Sequence, residues 1–197
     1  MKLAKALWSL GSILINIIIG IYIYLSSKAP IDPKERYIYI NENWDIYGGH
    51  WKAELLIMTM IAIGAIYFAI NLKKISWSII AVGLLIMLSL YPIMLGGYRN
   101  TPFEIAEMAN QMSIVVFVFG NIIFLAGLLH LYLFDTLLNK WLRFSAIGLA
   151  GISLIVFSIS FMGLISWKQA LIVGPLTNLL YLINAYYGFR LKVAKDN

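Results

Sequence analysis

Six apolar stretches, each about as long as a helix needs to cross the hydrocarbon core of a bilayer, leave this chain few ways to fold. They cover residues 6–25, 53–71, 75–98, 112–134, 142–166 and 169–189, and the charged residues lie at their ends or between them. Strands of that length would leave edge groups unpaired in lipid, whereas helices satisfy their own backbone. The expectation is an all-α, polytopic membrane protein: one six-transmembrane-helix bundle spanning residues 1–197. Composition agrees, since the 197 residues are 61% hydrophobic and 12% charged, far from the usage of soluble domains.

No cysteine is present, which excludes disulfides, thiolate metal sites, iron–sulfur clusters and cysteine nucleophiles. The net charge of +6 does not point to nucleic acid, because the basic residues sit in short runs between apolar segments and form no basic face. Lys2 and Lys5 precede the first stretch as in a signal peptide, but 6–25 is longer than a usual signal core and no small-residue cleavage site follows Leu25; a retained helix is expected.

Orientation follows the Lys/Arg distribution. With the amino terminus inside, one side collects Lys2, Lys5, Lys73, Lys74, Lys140, Arg143, Arg190, Lys192 and Lys195 against Asp135 and Asp196. The other collects Lys28, Lys34, Arg36, Lys52, Arg99 and Lys168 against Asp32, Glu35, Glu42, Asp45, Glu54, Glu104 and Glu107. The basic excess predicts both termini in the cytoplasm and a multi-pass protein of the plasma or inner membrane. Trp8, Trp77 and Trp141 would mark the inner headgroup level, with Tyr181, Tyr186 and Tyr187 approaching it. Tyr22, Tyr24, Trp51, Tyr91, Tyr98 and Trp167 would mark the outer one.

Residues 26–52 read as an outer loop folded back over the bundle mouth, or as a connector resting on headgroups. Pro30 and Pro33 keep its start non-helical, Tyr37 to Ile40 alternate like a short strand, and Gly48 and Gly49 end it. Thr101, Pro102 and Glu104 have the spacing of a capping box that starts the fourth helix outside the membrane. Pro92 with Gly96 and Gly97, and Gly174 with Pro175, are expected to kink or unwind the third and sixth helices. Such breaks line binding sites in transporters but are also ordinary features of membrane helices.

Candidate chemistry gathers on the outer side. His50 and Glu54 are one helical turn apart and could act as an acid–base pair; two ligands at this spacing do not make a metal site, and a surface hydrogen bond is the plainer reading. Glu107, Asn110, Gln111, Ile114, Val118 and Asn121 share one face of the fourth helix, expected to point into the bundle. Asn16, Asn121 and Asn178 should turn inward, either to contact a ligand or to tie helices together.

His130 lies too far from His50 to share a metal, which removes bis-histidine haem and histidine-cluster di-iron sites; its simplest role is an inner polar residue near Asp135. Motifs for hydrolases, P-loop ATPases, zinc proteases and dinucleotide binding are absent. Ser153, Ser158 and Ser160 read as packing residues.

Two classes of function fit. The first is a protein that binds a small molecule or lipid at an outer polar site, as a transporter or substrate-capture component, using Tyr91, Arg99, Glu104, Glu107, Asn110, Gln111, Asn121 and Asn178. The second is a membrane enzyme using His50, Glu54 and Glu107 for acid–base or metal-assisted chemistry on a lipid-like substrate. A ligand-free accessory protein would show the same packing amides. The sequence names no cofactor and no metal site; the expected partners are the bilayer, a small-molecule ligand, and a partner subunit or second copy contacting Gly148, Gly151 and Ser158.

Overall fold

The computed structural model describes residues 1–191. Lys192, Lys195 and Asp196 of the charge distribution lie outside the described residues, as does the side chain of Lys168. The chain runs through α1 (Lys2–Lys28), α2 (Pro33–Glu42), α3 (Trp44–Leu72), α4 (Ile75–Leu88), α5 (Leu90–Tyr98), α6 (Phe103–Phe134), α7 (Lys140–Phe161), α8 (Trp167–Ala170), a 3-10 turn at Leu171–Val173 and α9 (Gly174–Arg190). Five helical segments are long and apolar enough to cross a membrane: α1, α3, the α4–α5 pair, α6 and α7. The protein is therefore an all-α, multi-pass membrane protein.

The sixth apolar stretch, 169–189, is unwound just before Gly174 and Pro175, the break expected from the sequence. Pro175 has no N–H to give to a carbonyl one turn earlier, so the chain passes through α8 and a 3-10 turn before α9, which has 17 residues. Pro92 breaks the third crossing in the same way. Ser89 leaves the ladder, its N–H and hydroxyl both donating to the Ile86 carbonyl.

Residues 26–52 are mostly helix rather than loop, and Tyr37 to Ile40 form no strand. Asp32 caps α2 by accepting from the N–H groups of Lys34 and Glu35, both at 3.0 Å, and Pro33 suits the first helical turn. Gly48 and Gly49 lie inside α3; a side chain at Gly48 would meet the Trp44 indole at 2.7 Å. The Thr101 capping box is not formed. The Thr101 hydroxyl turns back to donate to the Gly97 carbonyl at the end of α5, and α6 starts after Pro102 without a side-chain cap. A capping box does form at Ser166 and Gln169, where α8 begins.

The five long apolar segments and α9 close into a ring in the order α1, α3, α4–α5, α6, α7, α9 and back to α1. Polar contacts fix which tips share an end. The Met1 ammonium donates to the Tyr67 hydroxyl (2.8 Å), Lys5 Nζ to the Leu191 carbonyl (2.5 Å), and Arg143 to the carbonyls of Tyr132 and Leu133. Lys74 pairs with Asp135 at 2.5 Å. We call this the terminal end, and the opposite one the α2 end.

The seam between α4–α5 and α6 is built from small residues. A Cβ on Gly83 would stand 2.4 Å from the Phe124 nitrogen, one on Gly120 2.6 Å from Met87 Cγ, and one on Gly127 2.7 Å from the Ile80 nitrogen. At the α2 end Gly97 faces Ala109. This contact uses the face of α6 carrying Ala106, Ala109, Ser113, Gly120 and Phe124. Glu104, Glu107 and Gln111 are consequently exposed, not directed inward, because the backbones approach too closely to admit long side chains.

Toward the terminal end, Trp8, Phe68, Trp77, Tyr132 and Tyr187 fill the interior. Trp8 and Trp77 are fully buried and pack edge to face at 5.0 Å, so neither side chain lies on the lipid-facing surface. Gly64 and Gly188 make room for Trp8, since a Cβ on either would come within 3 Å of it. Its indole N–H donates to the Asn184 carbonyl (2.8 Å), and the Tyr132 hydroxyl donates to Asn184 Oδ1.

Because the seam excludes even one methyl group, Gly83→Val is expected to destabilise the bundle by about 1–3 kcal/mol. Gly148→Val on α7, where an added Cβ meets nothing within 4 Å, should leave the thermal midpoint unchanged. Melting both variants in the same mild detergent checks the difference; equal midpoints would show that the seam relaxes.

Candidate functional site

A carboxylate inside the bundle is expensive unless something compensates it, so intramembrane acids mark functional positions. Glu54 is such a group. It lies in the third turn of α3 with its side chain 24% exposed, and α3 places His50 one turn earlier on the same face, with Nε2 3.8 Å from Glu54 Oε2. The imidazole side chain is 3% exposed and stacks on Tyr22 of α1, ring centroids 5.8 Å apart.

Two tyrosines from other elements complete the cluster. Tyr91, in the first turn of α5, is buried with its hydroxyl against the Glu54 carboxylate. Tyr181 of α9 is buried in the same region, within electrostatic reach of Glu54, and stacks on Phe124 of α6 at 5.7 Å. Four elements, α1, α3, α5 and α9, thus present one acid, one imidazole and three phenols to a common region.

Every partner of Glu54 is formally neutral. Among the described residues the one ion pair made by a lysine or arginine is Lys74–Asp135, so no lysine or arginine compensates the carboxylate. His50 Nε2 is buried without a hydrogen-bond partner. A carboxylate without a counter-ion next to an orphaned ring nitrogen can accept from a donor or a cation, or pass a proton. Among the described residues no three His, Asp or Glu side chains converge as metal ligands.

The α2 end is roofed over this cluster. The Tyr37 hydroxyl donates to the Thr101 carbonyl, and the Asn100 N–H donates to Asn41 Oδ1 at 2.9 Å. Tyr37 packs on Tyr98 and Phe103, Tyr98 on Trp51, and Trp51 on Trp44. The Tyr47 hydroxyl donates to the Leu25 carbonyl (2.9 Å), tying α3 to the end of α1.

Of the residues singled out in the sequence, the structure brings together His50, Glu54 and Tyr91. Asn121 is buried on α6, but its amide donates to the Phe117 carbonyl of its own helix (2.9 Å). Asn110 and Asn178 are half-buried, and Asn16 donates to the Ser12 carbonyl. Arg99 is exposed, 5.9 Å above the Trp44 ring, and Glu104 and Glu107 join no ion pair among the described residues. Sequence reasoning missed Tyr22 and Tyr181 by assigning them to interfacial belts. Tyr181 stands near the middle of 169–189, too deep for a headgroup anchor, and that depth was the available signal.

A second polar group lies at the terminal end. His130 bonds not to Asp135 but to Ser76, with Oγ and Nδ1 2.7 Å apart. Asp135 instead takes Lys74 and the Leu137 N–H (2.8 Å). Burial alone would raise the Asp135 carboxyl; the Lys74 ammonium and the Leu137 N–H outweigh it and hold the group below the usual carboxylate range. A lowered carboxyl stabilises the fold above its unfolded value, and the gain disappears as pH falls through the folded one. Asp135→Asn should therefore lower the thermal midpoint by a few degrees or less at pH 7, since Lys74 is half exposed, and by nothing at pH 3. A midpoint difference that persists unchanged from pH 7 to pH 3 would contradict this.

Comparison with protein-family models, with curated proteins and with solved structures finds no match to this chain.

Proposed function

We propose that this membrane protein binds a small molecule or a lipid-derived ligand at the α2 end, in the region shared by His50, Glu54, Tyr91 and Tyr181. The observation that carries the reading is the partly buried Glu54 carboxylate, which faces aromatic rings and an imidazole but no lysine or arginine. A ligand suited to that surrounding brings its own positive charge or several donors. A protonated amine meets both the carboxylate and the faces of nearby tyrosines.

In this reading the chain crosses the membrane six times as a single domain, with the broken α8–α9 segment as the sixth crossing. Support comes from the Lys5 contact to Leu191, which returns α9 to the end where α1 starts, as an even number of crossings requires. The basic residues of the terminal end then place both termini in the cytoplasm and the Glu54 cluster toward the outer face. A substrate-capture or transport component would use such a site for loading. The interrupted α5 and α9, each contributing one tyrosine, are the elements able to shift as it fills.

The acid–base pair also supports an enzymatic reading, in which Glu54 and His50 move a proton on a bound lipid-like substrate. Glu107, exposed on α6, contributes to neither reading in the present arrangement.

Native mass spectrometry from a mild detergent, with a panel of primary and quaternary amines as probes, tests the binding site. Glu54→Gln keeps the shape and removes the charge, and should weaken retention of a cationic probe about tenfold or more, the worth of one charge-assisted hydrogen bond. Tyr91→Phe should weaken it less, and Glu107→Gln not at all. Undiminished retention in Glu54→Gln would overturn the placement.

A further inference from the structure

The terminal end holds a cleft of about 260 Å³ lined by Ser76, His130, Lys74 and Asp135 and walled by Ile75 and Phe134. Ser76 occupies the first turn of α4, where Lys74 supplies no side-chain cap. The first N–H groups of a helix have no acceptor within it, so those of Ile75 and Ser76 are available to an oxygen placed in the cleft. His130, from the last turns of α6, holds the Ser76 hydroxyl at 2.7 Å through Nδ1. Its ring is steadied by Phe134, one turn on, with centroids 4.6 Å apart.

A serine hydrogen-bonded to an imidazole, beside donors able to receive a developing oxyanion, has the parts needed for acyl transfer. We propose that Ser76 and His130 form a nucleophile–base dyad that hydrolyses acyl esters presented at the membrane interface. This inference rests on the opposite end of the bundle from the Glu54 cluster and does not depend on how that cluster functions.

The step balances with water as co-reactant. Ser76 Oγ attacks the ester carbonyl carbon while its proton passes to His130 Nδ1, and the oxyanion meets the N–H groups of Ile75 and Ser76. The ester C–O bond then breaks, the alcohol leaves with the proton from His130, and the acyl group stays on Ser76. Water attacks that acyl carbon, gives a proton to His130, and Ser76 Oγ departs with it, releasing the carboxylic acid.

The walls set the substrate class. Ile75 and Phe134 are 62% and 75% exposed and offer an apolar run for an acyl chain, while the paired Lys74 and Asp135 form the polar edge of the cleft. Asp135 is engaged by Lys74 and Leu137, so no carboxylate orients the imidazole, and the machinery is a dyad, slower than a full triad.

The test is labelling of the intact protein in mild detergent with a fluorophosphonate, followed by peptide mapping, alongside turnover of a short-chain nitrophenyl ester. One covalent adduct on Ser76 is expected. It should be absent in Ser76→Ala, and the labelling rate should fall about a hundredfold in His130→Gln, the scale of a lost general base. Intact folding of both variants is checked by their elution and helicity. If either variant fails to fold, the adduct map of the unsubstituted protein still decides. No adduct on Ser76 in that protein, or a labelling rate unchanged in a folded His130→Gln, overturns the proposal and leaves the contact as a helix-to-helix hydrogen bond.

Discussion

The close approach of α4–α5 to α6 sets the positions on which the rest of the bundle depends. In lipid there is no hydrophobic gain from bringing two apolar helices together, so their association rests on dispersion across a well-fitted contact and on shared hydrogen bonds. Gly83, Gly120 and Gly127 let the two backbones come near enough for that. The rotation of α6 is then fixed: its small residues and Phe124 face the seam and interior, and its acidic residues near the amino end face outward. The same contact brings the start of α4 beside the end of α6, which is what places Ser76 against His130. It also carries α5 over α6, so that Tyr91 enters the interior.

Between the two polar ends lies a nearly apolar plug. Trp8, Phe68, Trp77, Tyr132 and Tyr187 come from five of the six ring elements and exclude water from the terminal half of the interior. Polar groups inside the plug are matched only in part: Asn184 accepts from Trp8 through its carbonyl and from Tyr132 through its side chain, while Trp77 Nε1 and Asn184 Nδ2 have no hydrogen-bond partner. What distinguishes the Glu54 region is charge, since a carboxylate there stands beside an unpartnered ring nitrogen with no lysine or arginine paired to it.

Helix class and most crossings were legible because apolar runs of bilayer length admit little else. Boundaries and faces were less so. The helical character of 26–52 was hidden by its prolines, which read as breakers; Pro33 is tolerated as the first residue of α2 behind the Asp32 cap. The stripe of α6 expected to point inward does so at Val118 and Asn121 but not at Glu107 and Gln111, which are exposed, because periodicity gives the angle between residues but not which angle meets the neighbour. That is decided by Gly83 of α4 and Gly97 of α5, which lie outside α6 itself. His50 and Glu54 were legible as a pair through their spacing. Tyr181 was not, since it reaches the region of Glu54 from α9, far away in sequence.

This division between local and distant information explains the placement of the two polar groups. Each draws its members from helices far apart in sequence: Ser76 and His130 are 54 residues apart, and the His50–Glu54 pair meets Tyr22 of α1 through the imidazole and Tyr91 of α5 through the carboxylate. Such groups form only after the ring has closed, so local helix propensity cannot assemble them. Packing amides behave differently. Asn16 and Asn121 satisfy themselves on their own helices, four residues back, and need no neighbour to be placed. An amide that returns to its own helix costs little at any lipid depth, whereas an acid that has no such local partner can be retained only where several helices converge on it. Glu54 sits at that convergence.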